Sequence, residues 1–158
     1  MNKKLFIGIA LLLCLLLSVA AAEEAPLVSG DFSYRLLSDG TAEITRYTGE
    51  AAELTVPDTL DGIPVTGIGE NAFAGCAALT SVTLPSGILE IGESAFSGCT
   101  ALLSADIPKS VEFIGAEAFS GCPEKLCLIV DAVSAAKTYA REQKLVFLYR
   151  DCLLSSYF

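Results

Sequence analysis

The six cysteines are the side chains in this sequence with the widest chemical potential, because thiolates act as nucleophiles, metal ligands and disulfide partners. Three of them, Cys76, Cys99 and Cys122, recur every 23 residues and not in the paired CxxC spacing of a zinc site. The sequence contains no histidine, which excludes Ser-His triads, Cys-His pairs and histidine metal sites. The usual catalytic and metal-binding uses of cysteine are therefore not indicated.

Other patterns that could support chemistry are also weak. The glycines at Gly67–Gly69 and Gly115 are not followed by the GK[ST] of a phosphate-binding loop. Asp39-Gly40 indicates a turn, because the other ligands of a calcium loop are missing. Carboxylates that could form a glycosidase site do not converge in the repeat register. We therefore predict a protein that is not an enzyme and that needs no cofactor or metal.

The 23-residue interval belongs to an internal repeat. IGENAFAGC begins at Ile68, IGESAFSGC at Ile91 and IGAEAFSGC at Ile114. The phenylalanines that keep the same step are Phe73, Phe96 and Phe119. A fixed period in the low twenties is typical of a stacked solenoid, in which each copy forms one coil and buries its apolar side against its neighbours.

Stacking places Cys76, Cys99 and Cys122 about one strand spacing (~4.8 Å) apart. Parallel Cβ vectors fit the dihedral angle of a disulfide poorly, and three thiols cannot all pair. We therefore expect a buried column of thiols that pack as small hydrophobic groups. Cys127 and Cys152 are the other candidate pair, and a bridge between them requires the last segment to fold back.

Each regular coil has a predicted internal order. Leu79–Leu84 predicts a strand ended by Pro85, which cannot donate to a ladder. Ile88–Ile91 predicts a second extended piece, and Ser94–Phe96 predicts a single helical turn. The glycines are expected to supply corner conformations that a Cβ would strain. The residues expected to point inward are Leu79, Val82, Leu84, Ile91, Phe96 and Cys99.

The segment before the repeats predicts a cap. Phe32–Leu36 and Ala42–Tyr47 alternate apolar and polar residues on either side of Asp39-Gly40, which predicts a β-hairpin that covers the first coil. Leu54–Pro57 predicts the strand of an irregular earlier coil. Its link to the next coil, Asp58–Gly67, is longer than the later links, as is common for terminal repeats.

After the third copy the period fails. Leu126–Val130 predicts one more strand, and Asp131 is a candidate N-cap for a helix over Ala132–Gln143. Leu145–Tyr149 predicts a closing strand, and the apolar tail Asp151–Phe158 either packs on the cap or leaves an exposed patch through which the protein could form oligomers. The helix residues expected to cover the open end of the stack are Val133, Ala136, Tyr139 and Ala140.

The first 22 residues have the pattern of a cleaved secretory signal peptide. Lys3 and Lys4 precede the apolar run Leu5–Leu17, and Ala20–Ala22 supplies small residues before the expected cleavage site. The run is short for a bilayer, so we expect no membrane span after cleavage. Removal of this segment changes the net charge from −9 to −11, which disfavours nucleic acid as a partner.

The repeated units also resemble a known family. IGENAFAGC with ALTSVTLP, and IGESAFSGC with ALLSADIP, are similar to the BspA-like (Treponema-type) leucine-rich repeat family of bacterial and protist surface proteins. The resemblance spans about 32–149 and implies an α/β fold. It implies a short right-handed leucine-rich-repeat solenoid with a parallel strand ladder on one face, an N-terminal β-hairpin cap and a C-terminal strand-helix-strand cap. The family's known roles are adhesion to host or matrix proteins and to other cells.

This resemblance and the repeat pattern together suggest an organisation of the chain. The expected parts are a signal peptide at 1–22, a hairpin and irregular capping repeat at 23–67, regular repeats at 68–125, a C-terminal cap at 126–150 and an apolar tail at 151–158. The expected function is that of a secreted or cell-surface, non-catalytic module that binds an extracellular or host protein. The alternatives are a structural or self-assembling component of an extracellular complex, or a truncated relic of a larger adhesin.

The outward side of the strand ladder is the candidate binding surface. Aligning the strands around Leu54, Val82 and Ala105 places small polar residues in two rows. The first row is Glu53, Ser81 and Ser104, and the second is Thr55, Thr83 and Asp106. These side chains offer a flat hydrogen-bonding face, and we expect it to contact the partner.

Overall fold

A computed structural model describes residues 25–154 of the protein. The predicted signal peptide and the last four residues of the tail lie outside the described residues. The strands are β1 (Leu27–Ser29), β2 (Phe32–Leu36), β3 (Ala42–Tyr47), β4 (Glu53–Thr55), β5 (Thr59–Leu60), β6 (Ile63–Ile68), β7 (Ser81–Thr83), β8 (Glu90–Ile91), β9 (Ser104–Asp106), β10 (Phe113–Ile114), β11 (Cys127–Val130) and β12 (Val146–Tyr149). The helices are α1 (Ala135–Glu142) and α2 (Arg150–Leu154).

The strands form two sheets that run along the solenoid. Sheet I has the order β12-β11-β9-β7-β4 and is parallel throughout. Sheet II has the order β1-β2-β3-β6-β8-β10, and β5 pairs with β6. The predicted second extended piece of each coil therefore builds a sheet of its own. The expected ladder is confirmed as sheet I, but it is accompanied by a second ladder on another side of the coil.

An aromatic column runs through the interior between the sheets. The rings of Phe73 and Phe96 stack at 4.9 Å with 9° between their planes, and those of Phe96 and Phe119 stack at 5.2 Å with 3°. Tyr47 extends the column at one end, at 5.4 Å from Phe73, and Tyr139 closes it at the other end, at 6.1 Å from Phe119. All six positions predicted to point inward are buried. The predicted superposition of the 23-residue units is thus confirmed.

The helical turn predicted at Ser94–Phe96 is wrong. Ser94 has a φ of 53°, in the left-handed region, and the segment forms β-turns. The backbone N–H of Phe96 donates to the Ala118 carbonyl oxygen of the next coil at 2.7 Å, and Phe73 donates in the same way to Ala95 at 2.8 Å. Along the chain the segment makes i→i+3 bonds, such as Ser97 N–H to the Ser94 carbonyl oxygen at 2.9 Å, and bonds between coils satisfy the Phe96 N–H that a helix would pair within the chain.

Two sets of glycines serve different physical needs. Gly98 has a φ of 71°, so it supplies the corner conformation that we expected. Gly92 does not have a positive φ, and its need for glycine is steric. A Cβ at this position would lie 2.6 Å from the backbone nitrogen of Glu70 in the preceding coil. The coils therefore approach so closely at Gly92 that no side chain fits.

The cysteine column is buried as predicted at Cys99, while Cys76 and Cys122 are only partly buried. Cys76, Cys99 and Cys122 are thiols without disulfide bonds, and Cys99 is fully buried. The Cys99 Sγ donates to the carbonyl oxygen of Phe73 at 3.1 Å, and burial raises the pKa of this thiol to about 12. Cys127 is also a thiol, so the alternative bridge to Cys152 is not formed.

The N-terminal cap contains more structure than the sequence indicated. The predicted hairpin is present as β2 and β3, with Gly40 at a φ of 84°, and β5 and β6 form a second hairpin in the long link. Its turn residues, Asp61 and Gly62, both have positive φ (51° and 82°), as a tight two-residue turn requires. The Asp61 carboxylate accepts hydrogen bonds from Tyr34 and Ser29, both at 2.8 Å, and these bonds lower its pKa. The link is therefore fastened to the cap.

The C-terminal helix differs from the prediction at its start. The helix α1 begins after Ser134, whose Oγ accepts a hydrogen bond from the backbone nitrogen of Lys137 at 3.2 Å, so Ser134 and not Asp131 is the N-cap. Val133 lies outside the helix and is 92% exposed, so its predicted covering role is wrong. Ala136, Tyr139 and Ala140 are buried against the last coil as expected.

We predict that Phe96→Ala lowers the free energy of unfolding by about 3–5 kcal/mol, because it opens a cavity between two stacked rings. Phe113→Ala is the matched control, since Phe113 is 58% exposed and its truncation should cost less than about 1 kcal/mol. Urea denaturation followed by circular dichroism measures both. Equal losses in the two variants would contradict the role assigned to the aromatic column.

Candidate protein-binding surface

The six residues of the predicted binding surface lie together on the outward side of sheet I. The register pairs Glu53 with Ser81 and Ser81 with Ser104, and the second predicted row is aligned in the same way. Val82 and Ala105, which alternate with them, are buried. The structure therefore brings the predicted residues into two straight rows, as expected from the repeat spacing.

Both rows continue into the C-terminal cap, which the sequence interpretation missed. Cys127 and Val146 extend the first row, and Ile129 and Leu148 extend the second. Val146 is 52% exposed and Leu148 is 48% exposed. We call the complete set the ladder surface: Glu53, Thr55, Ser81, Thr83, Ser104, Asp106, Cys127, Ile129, Val146 and Leu148. Its polar part consists of the six predicted residues on β4, β7 and β9. Its apolar part consists of Cys127, Ile129, Val146 and Leu148 on β11 and β12.

A signal for this apolar part was present in the sequence. The runs LCLIV, from Leu126, and LVFLY, from Leu145, have no polar residue at alternate positions. Such continuous apolar runs are typical of parallel strands with apolar side chains on both faces. Here the inward positions Leu128 and Val130 are fully buried, while the outward positions of β12 remain exposed.

The polar part carries short hydroxyl side chains. Ser104 Oγ donates to Ser81 Oγ, its neighbour along the first row, at 3.2 Å. Thr83 is half-buried and Thr55 is exposed. A hydroxyl group both donates and accepts, so these rows can match either polarity of a partner's backbone or side chains. Their small size also lets another surface approach the sheet closely.

Asp106 has an internal partner that the sequence did not reveal. Arg150 Nη1 donates to Asp106 Oδ2 at 2.9 Å, and Arg150 Nη2 lies 2.6 Å from Oδ1 and donates to the Ile107 carbonyl oxygen at 3.1 Å. Arg150 Nε also lies 3.5 Å from Asp131 Oδ2. Partial burial by itself lowers the pKa of Arg150. The hydrogen bonds and negative charges of Asp106 and Asp131 have the larger effect, so the pKa of Arg150 is raised. The arginine therefore ties α2 to β9. That Asp106 contacts a partner stays a prediction.

Two other kinds of feature are not found in the part of the chain that the structure describes. Across residues 25–154, no group of three or more Cys, Asp or Glu side chains is arranged to hold a metal ion. Within the same range, neither helix has the length and apolar character needed to cross a bilayer. The ladder surface, with its aligned rows and its exposed apolar part, is thus the principal candidate.

The repeated units of this chain match the model of a known protein family. The model of the BspA type leucine rich repeat region, with six copies, matches residues 47–140, which is more than half of the chain. The chain belongs to the BspA-type leucine-rich repeat family. The resemblance noted from the repeated units is therefore confirmed. No curated protein matches this chain.

Solved structures of bacterial leucine-rich repeat proteins share the fold. The Treponema pallidum leucine-rich repeat protein is 32% identical with a TM-score of 0.57, and the match covers 69% of this chain and 55% of that one. A leucine-rich cell surface protein from Faecalibacterium prausnitzii A2-165 is 30% identical with a TM-score of 0.65, and the match covers 80% and 36%. A leucine-rich repeat protein from Bacteroides capillosus is 26% identical with a TM-score of 0.53, covering 69% and 100%.

This BspA-type chain is thus similar to only part of the first two proteins. The matched region spans about half of the Treponema protein and about a third of the Faecalibacterium protein. The shared region carries the solenoid, so the likeness supports the fold of the repeats directly.

We predict that Arg150→Met lowers the free energy of unfolding by about 1 kcal/mol, because the ion pair is bidentate but partly exposed to solvent. Arg46→Met, at an exposed position in β3, is the matched control and should be nearly neutral. In an Asp106→Asn background the Arg150→Met change should cost much less. A thermal denaturation cycle over these variants checks the coupling, and additive losses would contradict it.

Proposed function

We propose that this protein is a non-catalytic module that binds another protein through the ladder surface. One observation carries the proposal: a continuous, outward-facing parallel ladder has an apolar part, in which Val146 and Leu148 are about half exposed, next to a polar part in which Arg150 covers Asp106. Protein interfaces commonly combine an apolar centre with hydrogen-bonding groups around it. Solenoid proteins present extended surfaces of this kind to their partners.

The arrangement suggests how a partner is held. Val146 and Leu148 provide the apolar contact, and their burial is the main source of affinity. The hydroxyl groups of Ser81 and Thr83 then fix the orientation of the partner. The backbone groups within sheet I are already paired, so recognition depends on side chains except at the outer edges of β12 and β4.

The proposed location is the cell surface or the extracellular medium. The Faecalibacterium protein of known structure is described as a cell surface protein, and the predicted signal peptide agrees with export. The partner would then be an extracellular or host protein, and the role would be adhesion. A net charge of −9 for the whole chain makes nucleic acid an unfavourable partner.

We predict that Thr83→Arg and Leu148→Arg, tested separately, each reduce capture of an extracellular partner at least about tenfold. A large charged side chain in the middle of either part would prevent close contact. Thr138→Arg, on the exposed face of α1, makes the same chemical change elsewhere and should leave capture unchanged. The measurement is a quantitative pull-down from matrix and serum proteins with residues 23–158. Capture that survives both ladder changes would exclude this surface.

A second candidate function is self-assembly, and the edge of sheet I favours it. β12 is the last strand of the sheet, and among the described residues no strand pairs with its outer edge. An exposed apolar edge strand is a template for pairing with another chain. The partner in this case is the β12 edge of a second copy, because two identical edges can pair antiparallel about a twofold axis.

For this candidate we predict a dimer that Val146→Lys with Leu148→Lys converts into a monomer, because charges on an edge strand oppose pairing. Thr83→Lys lies on the same sheet but away from the edge, so it should leave the dimer intact. Size-exclusion chromatography with light scattering measures the mass over a range of concentrations. A wild-type protein that is monomeric throughout would reject self-assembly and leave the binding proposal standing.

A further inference from the structure

The outward side of sheet II carries a second surface with a different chemistry. The parallel register of β3, β6, β8 and β10 aligns Glu43, Gly67, Glu90 and Phe113 in one row. Beside this row lies a groove of about 330 Å³, which we call the sheet II groove. The residues that line it include Arg35, Asp39, Glu43, Leu89, Glu90 and Phe113.

Leu89 and Phe113 both line this groove and provide its exposed apolar contact surface. Phe113 is 58% exposed and Leu89 is 43% exposed, and the Phe113 backbone nitrogen donates to the Leu89 carbonyl oxygen at 3.4 Å, so the two are neighbours. The stacking of the coils does not require apolar groups here. The positions equivalent to Phe113 in the two preceding coils are Gly67 and Glu90. A large apolar side chain at a position that tolerates glycine and glutamate points to a contact beyond the coil.

Carboxylates surround this apolar contact. Asp39 and Glu90 line the groove, and Glu112 is adjacent, since its backbone nitrogen donates to the Leu89 carbonyl oxygen at 2.8 Å. Of the described residues that line the groove, Arg35 alone is cationic, and its Nε donates to Glu43 at 2.7 Å. The charge of Arg35 is therefore used locally, while Glu90 and Glu112 are exposed and form no ion pair with any described residue. The groove presents excess negative charge around an aromatic ring.

We propose that the sheet II groove binds a cationic, amphipathic segment of a partner protein. An apolar side chain of that segment packs on Phe113 and Leu89, and its lysine or arginine side chains pair with Glu90, Glu112 and Asp39. The exposed Phe113 ring also offers its face to a cation. Adjacent strands are ~4.8 Å apart, so an extended segment of about four residues reaches across three coils.

The proposal is separate from binding at the ladder surface. On sheet I the Asp106 carboxylate is neutralised by Arg150 and the other exposed groups are hydroxyl or apolar, apart from Glu53. On sheet II the aromatic and acidic groups coincide, so the two sides select partners of different charge. A protein with both surfaces can contact two partners, or two parts of one partner, at the same time.

The test uses a fluorescent peptide of alternating lysine and leucine as the probe, with binding to residues 23–158 followed by anisotropy. We expect saturable binding that weakens with added salt. Phe113→Ser should weaken it about 10- to 100-fold, because most of the apolar contact is lost. Glu90→Gln with Glu112→Gln should weaken it severalfold and reduce its dependence on salt. A peptide with glutamate in place of lysine should not bind.

Matched variants separate this groove from non-specific attraction. Leu103→Ser removes an apolar side chain of 42% exposure next to β9, and Glu124→Gln with Glu142→Gln removes two exposed charges elsewhere. Both should bind the probe as the wild type does, and so should Thr83→Arg on the ladder surface. Circular dichroism confirms that each variant is folded. Binding that falls equally in the groove variants and their controls, or that ignores Phe113→Ser, would overturn the proposal.

Discussion

The stacking of one coil on the next in strict register is the interaction on which the rest of the structure depends. The 23-residue step brings Phe73, Phe96 and Phe119 into van der Waals contact along one axis. The same step brings Gly92 so close to the preceding coil that a Cβ would meet the Glu70 backbone. Aromatic contact in the interior and close backbone approach at the corner are two results of one spacing. Neither a longer nor a shorter unit would preserve both.

Because the inward side chains make the contacts that hold the coils together, the outward side chains are free to carry function. Sheets I and II use this freedom differently. The outward rows of sheet I hold small hydroxyl groups that give way to Val146 and Leu148 at the C-terminal edge. The outward row of sheet II places Phe113 next to glutamate side chains. A single repeat can thus support two chemically distinct surfaces, since each coil contributes one residue to every row.

The ends of the array are closed by contacts between residues distant in sequence. At the start, Tyr34 donates to Asp61 and fastens the long link to the hairpin. At the other end, Tyr139 packs on Phe119, while Arg150 reaches back to Asp106, 44 residues earlier. These contacts replace the neighbouring coil that each terminal coil lacks. At the C-terminal end of sheet I, no described strand pairs with the outer edge of β12, which adjoins the apolar part of the ladder surface.

The sequence by itself determined the period, the inward residues and the two polar rows, because a fixed repeat of 23 residues forces equivalent side chains into register. It did not determine local geometry where tertiary bonds compete with chain propensity. Ser94 adopts a left-handed conformation in a segment whose backbone bonds to the next coil, and Ser134 rather than Asp131 caps α1. The tertiary structure alone decided that Arg150 binds Asp106 and that Phe113 lies among carboxylates. Such contacts depend on how distant segments fold together, and the spacing of residues along the chain does not encode them.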